Sequence, residues 1–284
     1  MSSTAVAWPN GKRIAVAITV MFETWPDDKW PPFSVQTTAL KPGTRDNSAA
    51  TWGQYGGRVG VWRIIRLLDR HGIPATFCAN ARCAEIYGDA VLQIVKSGHD
   101  IAGHGYTQDE LLAYQTPEQE RATIIRCLDT IAARTGQRPE GWCSPVLAWT
   151  THTDDFLAEQ KLLYRADANY TDMPRRIDTK FGPFAHIPHS DFTDQRVLRT
   201  APQIYFDVYK DAFDYLYRDE PMALLELVLH CHWGGRPLMT AVADRLFTYF
   251  RQFPDVWFAR HRELARWALD ADPEQSTYQR RFFT

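Results

Sequence analysis

Residues 13–22, RIAVAITVMF, are a nearly continuous apolar run that is rich in valine and isoleucine. A run without polar alternation is typical of a strand buried on both faces, and such strands occur in parallel sheets that helices cover. The rest of the chain repeats one unit: a short apolar run, a loop and a segment with helical periodicity. About seven such units predict an α/β fold whose parallel sheet closes into a barrel rather than an open sheet.

The helical segments carry recognisable start and stop signals. Thr116, Pro117 and Gln119 have the arrangement of a capping box, in which the threonine hydroxyl and the glutamine amide satisfy free backbone N–H groups. Several of the helical segments end in glycine, a common helix stop. Helices are predicted at 59–72, 84–98, 116–136 and 151–164.

Residues 25–57 differ from the rest, being rich in proline, glycine, aspartate, threonine and tryptophan. They predict a long irregular insertion, and loops of such length are usually functional. Composition does not shift elsewhere, so residues 1–284 are expected to form a single domain. Aromatic residues of this insertion are expected to shape a small, flat, partly apolar pocket; they are Trp25, Trp30, Phe33 and Trp52.

The bulk properties argue against several classes of partner. A net charge of −2 gives no basis for electrostatic capture of nucleic acid or of an anionic membrane. No stretch approaches the roughly 20 apolar residues of a membrane span. The N-terminus lacks the apolar core of an export signal, and the five cysteines contain no CxxC pair. We therefore expect a cytoplasmic protein with a small-molecule substrate.

Polar or titratable side chains follow the successive predicted strands. In an α/β barrel the active site lies at the carboxyl ends of the strands. The residues at these positions are Glu23, Asn80, His104, Ser144, Asp167, His189 and His230. Their recurrence predicts that several of them converge on one site.

Glu23 and His104 are the first candidates for chemistry. Glu23 directly follows the first strand and precedes the long insertion, which favours a general base or metal ligand over a solvated carboxylate. His104 stands between two glycines, which let the backbone approach a ligand or adopt a positive φ. A His-x-x-x-His metal pair would need a second histidine four residues later, where the sequence has Gln108.

The stretch LVLHCHWGGRP, residues 227–237, places His230 and His232 on either side of Cys231. In an extended strand the two imidazoles would point to one side. Two histidines at a strand exit suit either a metal or acid catalysis with a neighbouring group.

Three further residues are expected to line the pocket. GWCSP puts Trp142 and Ser144 at a strand exit, but it lacks the GxSxG pattern of a serine nucleophile. We therefore interpret both as pocket wall. His189 is a candidate substrate contact.

The order of these segments resembles that of the polysaccharide deacetylase (NodB-homology) superfamily, most closely its branch of metal-independent allantoinases and cyclic imide hydrolases. The resemblance spans residues 14–264 and rests on IAVAITVMFE, YGGRVGVWRIIRLLDRHGIPATF, GHDIAGHGYT, RPEGWCSP, HCHWGGRP and DVWFARHREL. YGGRVGVWR and HxHxxGRP are specific to the branch. The resemblance implies a distorted (β/α) barrel of the NodB deacetylase type and hydrolysis of a C–N bond in an amide, imide or ureide. It also makes Trp25, Arg58 and His232 candidate substrate-binding residues.

The superfamily's metal set is an aspartate after the first strand and a His-x-x-x-His pair, and only part of it is present. Glu23 is the one carboxylate at the aspartate position. The two histidine positions of the superfamily correspond to His104 and Gln108. Glutamine is a poor zinc ligand compared with imidazole. Either the site works without metal, or His232 supplies the missing nitrogen beside Glu23 and His104 and zinc is bound. The broken set favours no obligatory metal.

The hypothesis for the reaction assigns Glu23 as base and His230 as acid, with His104 and backbone N–H groups stabilising the oxyanion. One rival is a metal-dependent polysaccharide or peptidoglycan N-deacetylase, against which Gln108 argues. Another is a non-catalytic barrel that binds a carbohydrate or small molecule, against which the surviving acid and base argue. The resemblance and the aromatic content also suggest a homo-oligomer.

Overall fold

Strands and helices alternate along most of the chain, as the repeated unit predicts. The computed structural model describes residues 7–271 and 277–283. Its strands are β1 Ile14–Phe22, β2 Thr76–Ala79, β3 Asp100–Gly103, β4 Gly141–Trp142, β5 Tyr164–Ala168, β6 Arg175–Thr179, β7 Gly182–Pro188, β8 Ala223–His230 and β9 Val256–Ala259. Its α-helices are α1 Asn47–Tyr55, α2 Val61–His71, α3 Ala81–Ile86, α4 Gly88–Lys96, α5 Pro117–Thr135, α6 Thr153–Glu159, α7 Gln203–Asp219, α8 Pro237–Phe250, α9 His261–Asp270 and α10 Tyr278–Phe282.

The strands form one curled sheet in the spatial order β6-β7-β5-β4-β3-β2-β1-β8, and β9 pairs with the first half of β1. The pairings are parallel, apart from the antiparallel pair β6–β7. Within the described residues, no ladder joins the edge strands β8 and β6. The predicted α/β fold, a distorted barrel with covering helices, is confirmed, but the predicted closure of the sheet is not, since its two edges stay unpaired within the described residues.

Strand β1 lies inside the sheet, and all nine of its residues are buried. One face of the strand packs against helices through residues such as Ile18 and Val20, and the other turns small side chains such as Ala15 and Ala17 into the barrel. This two-residue alternation follows from strand geometry. The register pairs Met21 with His230, so the residue after β1 emerges beside the end of β8.

Several predicted helix starts and ends are confirmed. Thr116 and Gln119 form the capping box of α5, and Gly72 ends α2 in the left-handed conformation with φ 62°. Others need correction. The insertion 25–57 is not irregular throughout, because its last third forms α1. The segment 151–164 is helical only in α6, and its last residue begins β5.

The predicted helix 84–98 is instead two helices, α3 and α4, with a break at Tyr87. The backbone of Tyr87 is non-helical, with φ −127° and ψ 38°. Its ring occupies the space that a Cβ atom on Gly57 would need. The break therefore accommodates a side chain that packs against the turn before α2.

Gly56–Gly60 form a π-helical turn between α1 and α2. A Cβ atom on Gly60 would overlap the carbonyl oxygen of Cys231, and one on Gly235 would overlap the Gly60 backbone. The glycines of the YGGRVG and HCHWGG segments are therefore required for direct backbone contact. This contact fixes the end of the insertion against the exit of β8.

The hairpin of β6 and β7 departs from the repeated unit of strand, loop and helix. The first strand of the hairpin alternates between half-buried and exposed residues and lies at the sheet edge. In the described part of the chain, no helix is long and apolar enough to cross a membrane.

Candidate active site

The predicted chemical groups converge where β1, β3 and β8 end. Glu23 follows β1, His104 follows β3, and His230 is the last residue of β8. Oε1 of Glu23 lies 3.6 Å from Nε2 of His104 and 3.7 Å from Nε2 of His230. Oε2 of Glu23 lies 3.6 Å from Nδ1 of His232. These four buried residues are called the Glu23 cluster below.

The ring of His104 is oriented by the backbone of the neighbouring strand exit. Its Nδ1 lies 2.6 Å from the carbonyl oxygen of Cys143. A carbonyl only accepts hydrogen bonds, so Nδ1 carries a proton and Nε2 is turned towards Glu23. Gly105 follows with φ 69°, a conformation that glycine adopts without strain.

The ring of His230 is held by Asp194, a residue that the sequence analysis did not single out. Oδ1 of Asp194 lies 2.6 Å from His230 Nδ1, and Oδ2 accepts a hydrogen bond of 2.8 Å from the His230 backbone N–H. Asp194 begins a short 3-10 turn and is completely buried. Its loop lies 36 residues before its partner, and neither spacing nor a motif links the two in the sequence.

His232 lies beyond the end of β8, so the prediction that it continues the strand is wrong, although its ring does reach Glu23. Three aromatic rings surround it: Trp52 at 5.1 Å and Trp25 and Phe33 at 5.6 Å between ring centroids. These rings come from the 25–57 insertion, which therefore covers this side of the cluster. The fourth aromatic residue of the prediction, Trp30, lines a small cavity of about 50 Å³ outside the cluster.

Gln108 supports the loop after β1. Its backbone N–H donates to the Thr24 carbonyl over 2.9 Å, and its side-chain oxygen lies 3.4 Å from Nδ2 of Asn80. Asn80 in turn accepts a hydrogen bond from the Thr24 N–H and donates to the His104 carbonyl. The residue at the second histidine position of the superfamily thus takes part in a backbone scaffold.

Burial and neighbouring charges set the ionisation of Glu23 and His232. Burial raises the pKa of Glu23, but the charge of His230 and the adjacent His104 and His232 outweigh it and lower the pKa to about 2. Burial lowers the pKa of His232 to about 3, and the attraction of Glu23 only partly opposes this. At neutral pH Glu23 is therefore a carboxylate and His232 a neutral imidazole.

The other two imidazoles are shifted the opposite way. Burial lowers the pKa of His104, but contacts with Cys143 and Glu23 outweigh it and raise the pKa to about 10. Because burial and Cys78 hold the pKa of the Cys143 thiol far above its usual value, the charged partner of His104 is Glu23. Burial lowers the pKa of His230 as well, and Asp194 and Glu23 raise it above its usual value. His104 is therefore protonated at neutral pH, and the pKa of His230 is shifted in the same direction.

The donor atoms of the Glu23 cluster include types that zinc accepts. Oε2 of Glu23, Nε2 of His104 and both ring nitrogens of His232 are buried and have no hydrogen-bond partner among the described residues. These three residues could hold a divalent metal by donor type. Within residues 7–271 and 277–283, however, no three His, Cys, Asp or Glu side chains already have the arrangement of a metal site.

The predicted substrate contacts are distributed unevenly. The backbone N–H of Ser144 donates to Asp167 beside the cluster, and His189 has a buried ring nitrogen without a partner among the described residues. Trp142 instead packs in the core against α5, because its ring fills the space above Gly103. Arg58 lies on an outer surface groove with Tyr87. Neither position supports the predicted contact with substrate.

Comparison with known proteins assigns the family. The sequence pattern of the polysaccharide deacetylase family matches residues 47–164. The peptidoglycan deacetylase-like protein FGM2 of Gibberella zeae is 32% identical over 260 residues, which cover 75% of this chain and 76% of that protein. The chain belongs to the polysaccharide deacetylase family. It is therefore a hydrolase that acts on C–N bonds other than peptide bonds.

Two solved structures of this family's fold are similar over nearly the whole chain. A probable polysaccharide deacetylase from Pseudomonas aeruginosa superposes with a TM-score of 0.85 at 30% identity, covering 94% of each chain. The PuuE allantoinase superposes with a TM-score of 0.83 at 29% identity, covering 94% of this chain and 93% of that one.

Proposed function

We propose that this deacetylase-family protein hydrolyses a C–N bond in a small cyclic imide, ureide or amide, with Glu23 as base and His230 as acid. The observation that carries the proposal is the Glu23 cluster itself. One carboxylate faces three imidazoles at 3.6–3.7 Å, distances that leave each pair without a direct hydrogen bond. The polar atoms of these residues can therefore form hydrogen bonds with a water and a carbonyl group that enter the site.

Glu23 is the group that takes a proton from the attacking water. The water oxygen forms a bond to the carbonyl carbon as Oε1 or Oε2 of Glu23 accepts the proton. A carboxylate with a pKa of about 2 is a weak base, and it is held there chiefly by the charge of His230. After His230 has given its proton to the leaving nitrogen, this charge is gone, and Glu23 holds the proton that it took from the water more firmly.

His230 is the group that protonates the leaving nitrogen. The proton that it transfers is the one on Nε2, because the Nδ1–H group stays donated to the Asp194 carboxylate. The C–N bond breaks as the nitrogen receives this proton, and the products are a carboxylic acid and an amine or amide. The proton on Glu23 returns to His230 when the gap of 3.7 Å between them closes to hydrogen-bond distance or a water bridges it.

His104 is placed to stabilise the negative oxygen that forms on the attacked carbon. Its Nε2 faces the same oxygen of Glu23 as His230 does, and its raised pKa keeps it charged. A charged donor fixed by the Cys143 carbonyl needs little reorganisation when the oxyanion forms.

The small size of the proposed substrate rests on the aromatic cover. Trp25, Phe33 and Trp52 pack around His232 and cover that side of the cluster, which favours a small substrate over a glycan. Similarity to an allantoinase over almost the whole chain also supports a place in that branch of the family, without an obligatory metal. We also propose a homo-oligomer, which size measurements in solution can test.

The test is a hydrolysis screen over allantoin, hydantoins, succinimide-type imides, linear formamides and N-acetylated sugars, with and without a chelator. Turnover of a small cyclic substrate that survives chelation is expected. The relatives include proteins named peptidoglycan deacetylases, from Helicobacter pylori among others. Turnover restricted to N-acetylated glycans and lost on chelation would therefore replace the proposal with a metal-dependent deacetylase.

A further inference from the structure

The turn after β4 is built from residues that ordinarily avoid its conformation. The backbone N–H of Ala148 donates to the Pro145 carbonyl, and the two residues between them both have positive φ, 46° for Val146 and 58° for Leu147. This is a type I′ turn, which normally uses Asn-Gly or Gly-Gly. A β-branched residue with positive φ is a rare outlier.

Packing offsets little of the strain at Val146, which is 61% exposed, whereas Leu147 is 37% exposed and buries more of its side chain. Residues with a strained backbone conformation cluster at functional positions such as active sites and ligand-binding loops. This choice of residues leaves apolar side chains exposed at the turn.

The turn is attached directly to the active site. The carbonyl of Cys143, two residues before it, orients His104. The N–H of Ser144 donates to Asp167 over 3.0 Å. The ring of Pro145 lies over Gly105, 2.7 Å from where a Cβ atom on that glycine would be. The turn therefore stands above the strand exits that carry His104 and Ser144.

A third exposed apolar side chain follows the turn directly in the sequence. Trp149 is 43% exposed, and the guanidinium of Arg165 stacks on its ring at 4.3 Å. Arg165 is itself buried and paired with Asp154 and Asp167. This stack orients Trp149, whose backbone N–H donates to the Leu147 carbonyl over 3.2 Å, so three apolar side chains are exposed within one four-residue stretch.

We propose that Val146 and Leu147 are specificity-determining residues, which bind an apolar substituent of the substrate away from the bond that is broken. The proposal rests on the amide or imide hydrolysis proposed above and narrows its substrate class. It selects imides or amides that carry an alkyl or aryl group over unsubstituted ones. The strained turn is retained because Asn-Gly would fit the backbone but would offer no apolar contact.

The experiment replaces the turn by the residues its backbone prefers, Val146→Asn with Leu147→Gly, and compares succinimide with phenylsuccinimide. We expect the melting temperature to rise, because the strain is removed. We expect the KM for phenylsuccinimide to increase roughly 10-fold relative to the KM for succinimide, which is the effect of losing a small apolar contact. A second variant, Val146→Ala with Leu147→Ala, shortens the side chains, keeps a Cβ atom at both positive-φ positions and is expected to show the same KM change.

Ile204→Asn, an exposed apolar residue on α7, is the matched control and should change neither KM. An unchanged KM ratio in an active enzyme would overturn this proposal alone, whatever the melting temperature. A change of oligomeric state with an unchanged KM ratio would likewise overturn it and assign the turn to subunit contact. Absence of turnover of any imide or amide by the wild type would instead remove the proposed function and this inference together.

Discussion

The Glu23 cluster and the network around Arg165 are both buried groups of charges, and they differ in how completely their atoms are bonded. In the Arg165 network, Nε of Arg165 donates to Asp154 over 2.6 Å, Nη1 donates to Asp167, and His186 Nε2 lies 3.0 Å from Asp154. The pairs of the Glu23 cluster are 3.6–3.7 Å apart, and several of its atoms have no hydrogen-bond partner among the described residues.

Charge alone does not separate the two groups. Burial raises the pKa of Asp154, but His186 and Arg165 lower it to about 2, the same value as Glu23. Both carboxylates are therefore ionised at neutral pH. The difference is that Asp154 is fully engaged within the protein, while Glu23 has bonding capacity left for water and substrate. Leaving a buried polar atom unpaired costs about 1–3 kcal/mol of folding free energy. Unpaired atoms of this kind are therefore expected where the protein binds a ligand.

The largest expected effect tests the unpaired group. Glu23→Gln should lower kcat about 10³-fold or more, because the base is lost, while the melting temperature stays equal or rises. Steady-state kinetics on the best substrate of the screen and thermal unfolding measure the two effects. Glu118→Gln, on the exposed first turn of α5, is the control. Retained turnover in Glu23→Gln would remove this residue from the mechanism.

The second effect tests the fully paired group. Arg165→Met should lower the free energy of unfolding by about 3–5 kcal/mol, because Asp154 and Asp167 lose the partner of their buried charges. Urea unfolding followed by circular dichroism measures this. Arg121→Met breaks a more exposed pair with Glu159 and should cost at most about 1 kcal/mol. Equal losses in the two variants would contradict the distinction between the network and a surface pair.

The smallest effect concerns Asp194, where a paired group supports the unpaired cluster. The pKa of His230 is raised in the folded protein, so its acid form and the activity persist at low pH and are lost as pH rises through that pKa. Asp194→Asn removes the charge that raises it most. The alkaline decline of kcat/KM should then begin roughly one pH unit lower. A pH–rate profile measures the shift, and an unmoved alkaline limb would show that Asp194 acts only on packing.

Much of the fold and the centre of the site follow from the sequence. The apolar run of β1 and the repeated unit predict a parallel sheet, and parallel strands end at one edge. Glu23, His104 and His230 were therefore expected to converge, and they lie close together. The same reasoning predicts that Trp142 lines the pocket, but Trp142 packs in the core. The last residue of a two-residue strand can face the core as easily as the inside of the barrel.

The remainder depends on contacts between distant segments. Asp194 approaches His230 only because its loop folds back over the end of β8, and Asp154 reaches Arg165 from a helix 11 residues away. The antiparallel β6 breaks the repeated unit at the sheet edge, where burial leaves a weak pattern. Residue types alone did not reveal these pairs, since an aspartate in a loop is usually solvated.

The backbone contact between Gly60 and the Cys231–Gly235 turn has a consequence for engineering. A loop transplanted from a relative to change selectivity would bring its own residues at the junction with α2. A side chain at the position of Gly60 would displace the turn after β8 and its two histidines. The insertion and that turn must therefore be exchanged as one cassette. Libraries that vary residues 25–52 alone keep the junction intact and can remodel the aromatic cover without disturbing the imidazoles beneath it.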